Sequence, residues 1–187
     1  MAVLKKKYKI WETEYYFIEA VLENIWWENI INKSFEKKLK LIVEQIIKNN
    51  KVLGFKNKFS ISILFTGDKK INQLNKKFRK INSPTNVLSF PSMPIDINTN
   101  NFLDLDCKSS IFLGDIVISS DTLIKEANNE KKIEEDHLIH LFIHGVLHLL
   151  GYDHETSYDA KIMETLEFVE SNQLNNVLKV NTYLKIM

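Results

Sequence analysis

The chain has 187 residues, 44% of them hydrophobic, and its formal net charge at pH 7 is +1. This length and apolar content suit a single domain, 1–187, with one buried core. The small net charge argues against a protein that coats nucleic acid through a general basic surface, because such domains carry a clear basic excess. Any contact with a polyanion is therefore expected to be local.

The N-terminal residues predict neither an export signal nor a membrane segment. Residues 1–7 contain no long apolar stretch, and no run in the chain approaches the roughly 18 apolar residues of a membrane span. Cys107 is the single cysteine, so no disulfide can form within the chain, which fits a reducing compartment. We expect a cytoplasmic protein and assign Cys107 no role.

The first periodic segments predict a helix, a strand and a second helix. Apolar residues recur at helical spacing over Phe35–Asn49, and Lys58–Phe65 alternates as a strand does. The turn Thr66–Asp68 is then predicted to cap a helix over Lys69–Lys80. Residues 11–34 are rich in aromatic side chains, and we assign them no element.

The second half of the chain predicts two more strands and three more helices. The strands are Val87–Phe90 and Ile111–Ser119, joined by the irregular segment Pro94–Ser110. The helices are Asp121–Asn129, Ile133–Leu150 and Tyr158–Asn172. These elements predict an α+β fold, with a small mixed β-sheet covered by several α-helices.

The predicted helix Lys69–Lys80 carries the densest basic segment of the chain. Its cationic residues are Lys69, Lys70, Lys76, Lys77, Arg79 and Lys80. Arg79 is the only arginine of the protein, and its planar guanidinium can hold a phosphate through two parallel hydrogen bonds, which a lysine cannot do. The segment could attract a phosphate backbone; a solvated helix face and, for Arg79, a structural ion pair are the alternative interpretations.

The sequence HGVLHLLGYDH, from His144 to His154, predicts a metal site at the end of a long helix. His144 and His148 are four residues apart and so share one helical face. Gly151 is typical of a residue that ends a helix in the left-handed conformation, after which a short turn would return His154 to the ion. Three nitrogen ligands leave the fourth position open, as in catalytic zinc sites. The pattern therefore favours a hydrolytic enzyme.

Two further histidines, His137 and His140, fall on the same helical face. His140 is a rival ligand, but it lies eight residues from His148, about 12 Å along a helix, so the two cannot share one ion. We interpret His137 and His140 as packing residues, or as residues that hold the ligands' other ring nitrogens through water or backbone.

The spacing also matches the extended metallopeptidase pattern H-E-x-x-H-x-x-G-x-x-H. Position 145 is glycine here, where that pattern has the glutamate that acts as general base, a role worth about 10²–10⁴ in rate. A metallopeptidase is therefore the second choice. Asp153 and Glu155 flank His154 and are candidate bases, although an aspartate in a turn more often bonds the backbone.

Three motifs together resemble the YbeY endoribonuclease family. Arg79 precedes Thr85–Pro91 (TNVLSFP), then comes Leu113–Ile118 (LGDIVI), then His144–His154, in the order that the family has. The resemblance covers about residues 58–170, the expected catalytic core. The segments 1–34 and 173–187 are left as uncertain extensions.

The resemblance implies a single-strand-specific, metal-dependent endoribonuclease that acts in ribosomal RNA maturation, at the 3′ end of 16S rRNA, and in ribosome quality control. It implies that His144, His148 and His154 bind one zinc ion and that Arg79 holds the scissile phosphate. The implied partners are ribosomal RNA and the ribosome or its small-subunit proteins. A zinc metallopeptidase and a non-catalytic ribosome assembly factor with a structural zinc remain alternatives, the latter less favoured because structural sites usually have four protein ligands.

Overall fold

A computed structural model describes residues 6–49, 58–94, 110–168 and 172. In this part of the chain five strands form one sheet: β1 (Lys7–Glu12), β2 (Tyr16–Leu22), β3 (Phe59–Thr66), β4 (Val87–Pro91) and β5 (Ile111–Ser119). Their order across the sheet is β1-β2-β3-β5-β4. Strands β2, β3 and β5 are parallel to one another, whereas the edge strands β1 and β4 pair antiparallel with their neighbours.

Six helices are described around this sheet. They are α1 (Ile25–Ile30), α2 (Lys33–Asn49), α3 (Asp68–Arg79), α4 (Ser120–Glu130), α5 (Glu134–Leu149) and α6, described over residues 157–168. The prediction of an α+β fold with a mixed sheet is confirmed. No helix in the described residues is both long and apolar enough to span a membrane.

The sheet is covered unequally on its two faces. The larger core joins one face to apolar side chains of α2, α4, α5 and α6, such as Ile42, Leu123, Phe142 and Met163. On the other face, α3 packs through Ile71 against Leu88 of β4 and Val117 of β5. The strands β4 and β5 therefore lie between α3 and α5, the two helices that carry the predicted site residues.

The aromatic N-terminal segment, which the sequence left unplaced, belongs to the same sheet. Strand β2 pairs in parallel with β3, with Ile18 opposite Ile61. Trp27 on α1 is fully buried, and its indole Nε1 donates to the carbonyl of Thr66 at 2.9 Å. The strands β1 and β2 thus complete the sheet, and α1 contributes Trp27 to the core beside it.

The turn Thr66–Asp68 precedes the next helix as predicted, but it does not supply the side-chain hydrogen bond that was expected to cap that helix. Gly67 occupies the N-cap position of α3 and provides no side-chain hydrogen bond. The free backbone N–H of Asp68 instead donates to the carboxylate of Asp121 on α4, at 2.8 Å. The cap comes from a residue that is distant in sequence and close only in the fold.

Gly114 permits the close approach of β4 to β5. Its φ is +141°, and a Cβ on its backbone would lie 2.2 Å from the carbonyl oxygen of Phe90. The register of β5 against β3 also shifts just before this point, between Ser60 and Ile61. Any side chain at position 114 would push β4 away, which explains the glycine in the LGDIVI segment.

The remaining sequence expectations fall outside the described residues. Cys107, almost all of the irregular segment Pro94–Ser110 and the extension 173–187 lie there.

Candidate metal centre

Helix α5 ends in a hydrogen-bonded turn that reverses the chain. The backbone N–H groups of Gly151 and Tyr152 donate to the carbonyls of His148 and Leu147, each at 3.1 Å. This pair of bonds is the Schellman motif, and Gly151 holds the left-handed conformation that it requires, with φ +88°. The structure therefore places the helix end where the glycine predicted it, and directs residue 154 back toward the helix.

The turn brings three histidines together. The Nε2 atoms of His144 and His148 are 3.1 Å apart, and one ring nitrogen from each of His144, His148 and His154 lies within 4.8 Å of the others. Two nitrogens bound tetrahedrally to zinc at 2.0–2.1 Å would be about 3.3 Å apart. The spacing between the two helical histidines is thus close to that of a shared ion.

The other ring nitrogens of His144 and His148 are held by protein oxygens. Nδ1 of His144 is 2.7 Å from Oε1 of Glu167 on α6, and Nδ1 of His148 is 3.0 Å from the carbonyl oxygen of Tyr152. A carboxylate and a carbonyl only accept hydrogen bonds, so both Nδ1 atoms carry the proton. The two Nε2 lone pairs then face each other, and their repulsion is relieved by a cation bound between them.

Burial and charge favour the protonation states that a metal site needs. Burial works against ionisation of Glu167, but the hydrogen bond from His144 and the nearby histidine charges outweigh it and lower the pKa of the carboxyl group. Burial, followed by the charges of His144 and His154, lowers the pKa of His148. A lowered imidazole pKa favours the neutral form of His148 that binds a metal, and a lowered carboxyl pKa favours the ionised form of Glu167 that accepts from His144.

The two other histidines of α5 do not support the three by hydrogen bonding. His137 is buried, and its Nε2 is 2.9 Å from Oε2 of Glu126 on α4, which agrees with a packing role. Nδ1 of His140 is 3.9 Å from Oε2 of Glu167, too far for a hydrogen bond. The supporting role that we considered for both histidines is filled by Glu167 and the Tyr152 carbonyl instead.

Glu167 is the site residue that the sequence interpretation missed. It lies on the predicted helix Tyr158–Asn172, one turn after Met163, which is 1% exposed. Residues four apart share a helical face, so Glu167 was the acidic residue directed toward the core next to the buried methionine. An acidic residue four positions after an apolar residue of the same predicted helix, in a chain with a histidine cluster, was the available signal.

The three histidines open onto a cleft between α3, β4 and the turn after α5. Its volume is about 610 Å³, within the range of roughly 300–1,000 Å³ that is typical of ligand sites. Arg79, Asp153 and Glu155 line it together with the histidines. The structure thus brings every predicted site residue to one cleft, which is large enough for a substrate group.

Within the basic segment, Arg79 is set apart from the lysines. It is the last residue of α3 and lies in the cleft, whereas Lys69 and Lys70 line a different depression beside Glu23. The segment therefore does not form a single basic surface. Arg79 is the cation that the segment contributes to the cleft lined by the three histidines, which we call the metal cleft.

Asp153 takes part in the turn itself. Its Oδ1 accepts from the backbone N–H of His154 at 2.8 Å and lies 4.0 Å from Nδ1 of His148. This is the backbone-bonding role that is common for a turn aspartate.

Gly145, which replaces the glutamate of the metallopeptidase pattern, packs against the sheet. A Cβ at this position would lie 3.2 Å from two carbons of Ile116 and 3.3 Å from Oγ of Ser89. A glutamate there would have to displace β4 or β5. The fold therefore leaves no room for the peptidase's general base at position 145.

Comparison with known proteins assigns the chain to one group. Residues 23–175 match the family model described as Endoribonuclease YbeY. Proteins named Endoribonuclease YbeY from Bartonella henselae and Bartonella quintana are 40% and 41% identical to this chain over 152 residues. Each of those alignments covers 80% of this chain and 87% of the relative.

The fold is also similar to a solved structure, the solution structure of TM1509 from Thermotoga maritima. The TM-score is 0.55 at 24% sequence identity, and the alignment covers 88% of this chain and 93% of the other. This likeness supports the fold alone. The family match begins at residue 23, so it reaches further toward the N-terminus than the motifs in the sequence did.

Proposed function

The chain belongs to the YbeY endoribonuclease family, and we propose that it cleaves single-stranded RNA with one zinc ion held by His144, His148 and His154. The observation that carries the proposal is the pair of Nε2 atoms 3.1 Å apart, which are left without a proton because Nδ1 of each ring donates to a protein oxygen. Within the described residues the group consists of three imidazoles and no fourth protein ligand, which is typical of a catalytic zinc site.

Each residue has a distinct task in this proposal. Glu167 and the Tyr152 carbonyl fix the two helical imidazoles in the ligand tautomer. Arg79 binds the scissile phosphate through its two-pronged guanidinium and stabilises the charge that grows on the phosphoryl oxygens. Zinc, when bound, supplies Lewis-acid stabilisation and a water that ionises near neutral pH.

We propose ribosomal RNA as the substrate, with the 3′ end of 16S rRNA as a processing site and defective ribosomes as a second target. This part rests on the family, which is named for endoribonuclease activity. The ribosome or its small-subunit proteins would deliver the RNA, and the protein would act in the cytoplasm where ribosomes mature. The formal net charge of +1 agrees with a delivered substrate, since a protein that holds RNA by general electrostatic attraction usually carries a clear basic excess.

The test uses the zinc-loaded protein with labelled single-stranded ribosomal RNA and, separately, casein. We expect RNA cleavage and no casein cleavage. His144→Ala should lose both zinc, measured by elemental analysis, and RNA cleavage, while circular dichroism shows an unchanged fold. Collapse of the fold in both His144→Ala and His148→Ala would instead indicate a structural ion.

Arg79→Lys separates phosphate binding from charge. This variant keeps the cation and should keep zinc, but kcat/KM for RNA should fall about 10- to 100-fold, as expected for the loss of one charge-assisted hydrogen bond. The matched control is Lys76→Ala, which removes a cation from the same helix outside the residues that line the cleft. Full activity of Arg79→Lys would remove Arg79 from the mechanism.

A further inference from the structure

Strand β4 is an edge of the sheet and also a wall of the metal cleft. In an antiparallel pair, alternate residues direct their backbone groups toward the partner strand. The carbonyl of Asn86 accepts from the N–H of Ser119, and the N–H of Ser92 donates to the carbonyl of Leu113, each at 2.9 Å. Even-numbered residues therefore bond to β5, and the backbone groups of residues 87, 89 and 91 point outward, away from the sheet.

The outward backbone groups include more hydrogen-bond acceptors than available donors. Pro91 has no N–H to offer. The N–H of Val87 donates to the side-chain Oδ1 of Asn86 at 2.7 Å, and the Asn86 amide is itself held by the carboxylate of Glu126, at 3.0 and 3.2 Å. Among the described residues, the outward edge therefore presents three carbonyl oxygens but only one N–H for which no hydrogen bond is found, that of Ser89.

An edge with this composition is poorly matched to another peptide strand. An added strand brings N–H and C=O groups in equal number, so two of its carbonyls would face positions without a donor. A ligand rich in donors is matched better, because buried acceptors without partners are costly. Adenine, cytosine and guanine each carry an amino group beside their ring nitrogens, whereas uracil has one N–H donor and two carbonyl acceptors.

The edge is also fixed relative to the metal ligands. The hydroxyl of Ser89 donates to the carbonyl of Gly145, the residue after His144, at 3.1 Å. Val87, Ser89 and Pro91 line the same cleft as Arg79 and the three histidines. A base against this edge would therefore belong to a nucleotide next to the scissile phosphate.

From these observations we propose that the outward edge of β4 is a nucleobase subsite that prefers adenine, cytosine or guanine to uracil, with the carbonyls of residues 87, 89 and 91 as acceptors for base amino groups. The inference rests on the proposed RNA cleavage, because it names the part of the RNA that the same cleft binds. In this proposal the backbone of β4 discriminates between bases, whereas the three histidines and Arg79 bind groups that every nucleotide shares.

The test changes one amino group at a time. The cleavage position in a short single-stranded oligoribonucleotide is mapped first, and adenosine is then placed at each nucleotide that flanks the cleaved bond. Each adenosine is replaced in turn by purine riboside, which lacks only the 6-amino group, and by uridine. We expect kcat/KM and binding affinity to fall about 2- to 10-fold at one flanking position, as for the loss of one neutral hydrogen bond.

A backbone variant provides an independent readout. Pro91→Ala returns an N–H donor to the edge and should raise the relative rate with uridine at the sensitive position. The matched control is Pro84→Ala, an exposed proline before β4, which should leave the base preference unchanged. Equal responses of the two variants would show that loss of a proline ring, and not the added donor, causes the change, and would count against the subsite.

The outcomes separate this inference from the proposed function. Cleavage at equal rates with adenosine, purine riboside and uridine overturns the subsite and leaves the nuclease intact. If no cleavage is found, the same replacements are made at every position of the oligomer, and tighter binding with adenosine than with purine riboside or uridine at one position supports the subsite and overturns the nuclease. Displacement of the oligomer by casein peptides, with no dependence on the base, assigns the edge to strand addition and overturns the subsite.

Discussion

The two edges of the sheet, β1 and β4, differ in how they avoid pairing with other chains. An edge strand exposes unpaired backbone groups on which a foreign strand can add. On β1 the protection comes from charge: Lys7 and Lys9 pair with Glu28 on α1 and Glu36 on α2, at 2.6 and 2.5 Å. Lysines along an edge strand are a common defence against strand addition.

On β4 the protection comes from the backbone. Pro91 removes one donor, and the Asn86 side chain engages a second, that of Val87. The remaining groups face the metal cleft. The β1 edge is therefore closed by side chains, whereas the β4 edge remains partly open on the side where the substrate is expected.

The comparison indicates that residues on the β1 side of the sheet mainly stabilise the fold, whereas residues on the β4 side form the candidate site. The β1 side is anchored by aromatic packing, as Trp27 lies 4.8 Å from the ring of Phe65, and carries no site residue. The β4 side joins segments that are distant in the sequence, through Ser89 and Gly145. Variants on the two sides should consequently affect different measurements.

Trp27→Ala should have the largest effect, and on stability alone. Removing a fully buried tryptophan costs about 3–5 kcal/mol of unfolding free energy, measured by urea denaturation. The zinc affinity of the protein that remains folded should be unchanged. Trp26→Ala, a partly buried neighbour, should cost less. A loss of zinc affinity in folded Trp27→Ala would show that the two sides of the sheet are coupled.

Gly114→Ala should damage both stability and the site, because it forces β4 off β5. The added Cβ would meet the Phe90 carbonyl at 2.2 Å, and the positive φ adds strain, so we expect a loss of about 2–4 kcal/mol. RNA cleavage should fall as the cleft wall moves. Gly145→Ala is the control: its contacts are tight but not prohibitive, and the gain in helix propensity of about 1 kcal/mol offsets them.

The elements that the sequence predicted well are those whose signals are local. The grouping of His144, His148 and His154 was predicted because four-residue spacing and a helix-ending glycine act within one short segment. Strand β2 was missed because apolar residues such as Phe17, Ile18 and Val21 occupy both of its faces, which removes the alternation of a half-buried strand.

The contacts that the sequence could not predict are those created by the fold. Asp121 caps α3 from another helix, and Glu167 reaches His144 from α6. Each pair is far apart in the chain, so no spacing rule connects its members. Family motifs nevertheless pointed to Arg79 and the three histidines, which the fold brings to one cleft, because such motifs reflect the folded arrangement as well as its local causes.

Glu167→Gln should weaken zinc binding with little effect on stability. The variant keeps an acceptor for His144 but removes the negative charge that makes the imidazole a stronger ligand, and loss of such a partner typically costs about 10- to 100-fold in metal affinity. Competition with a chelator measures the change. Glu164→Gln, which is exposed on the same helix, should have no effect. Equal affinities for the two variants would reassign Glu167 to helix packing.

Removing the charges of the β1 edge should have the smallest effect on stability and should still distinguish the two edges. Lys7→Gln combined with Lys9→Gln breaks two exposed or partly exposed ion pairs, which are worth about 0–1 kcal/mol each. Zinc affinity and RNA cleavage should not change, because the β1 strand is on the opposite side of the sheet from the cleft.

The same double variant should increase self-association, because Tyr8 and Ile10 are 70% and 62% exposed on this edge and an added strand would no longer bring two lysine charges into the interface. Concentration-dependent light scattering measures it. Lys37→Gln combined with Lys40→Gln on α2 removes the same charge away from any edge and is the control. Equal association of the two double variants would mean that net charge, and not edge protection, keeps the chains apart. Association of the β1 variant alone would show that the β1 edge depends on its lysines for protection, whereas the β4 edge is protected by Pro91 and the Asn86 side chain.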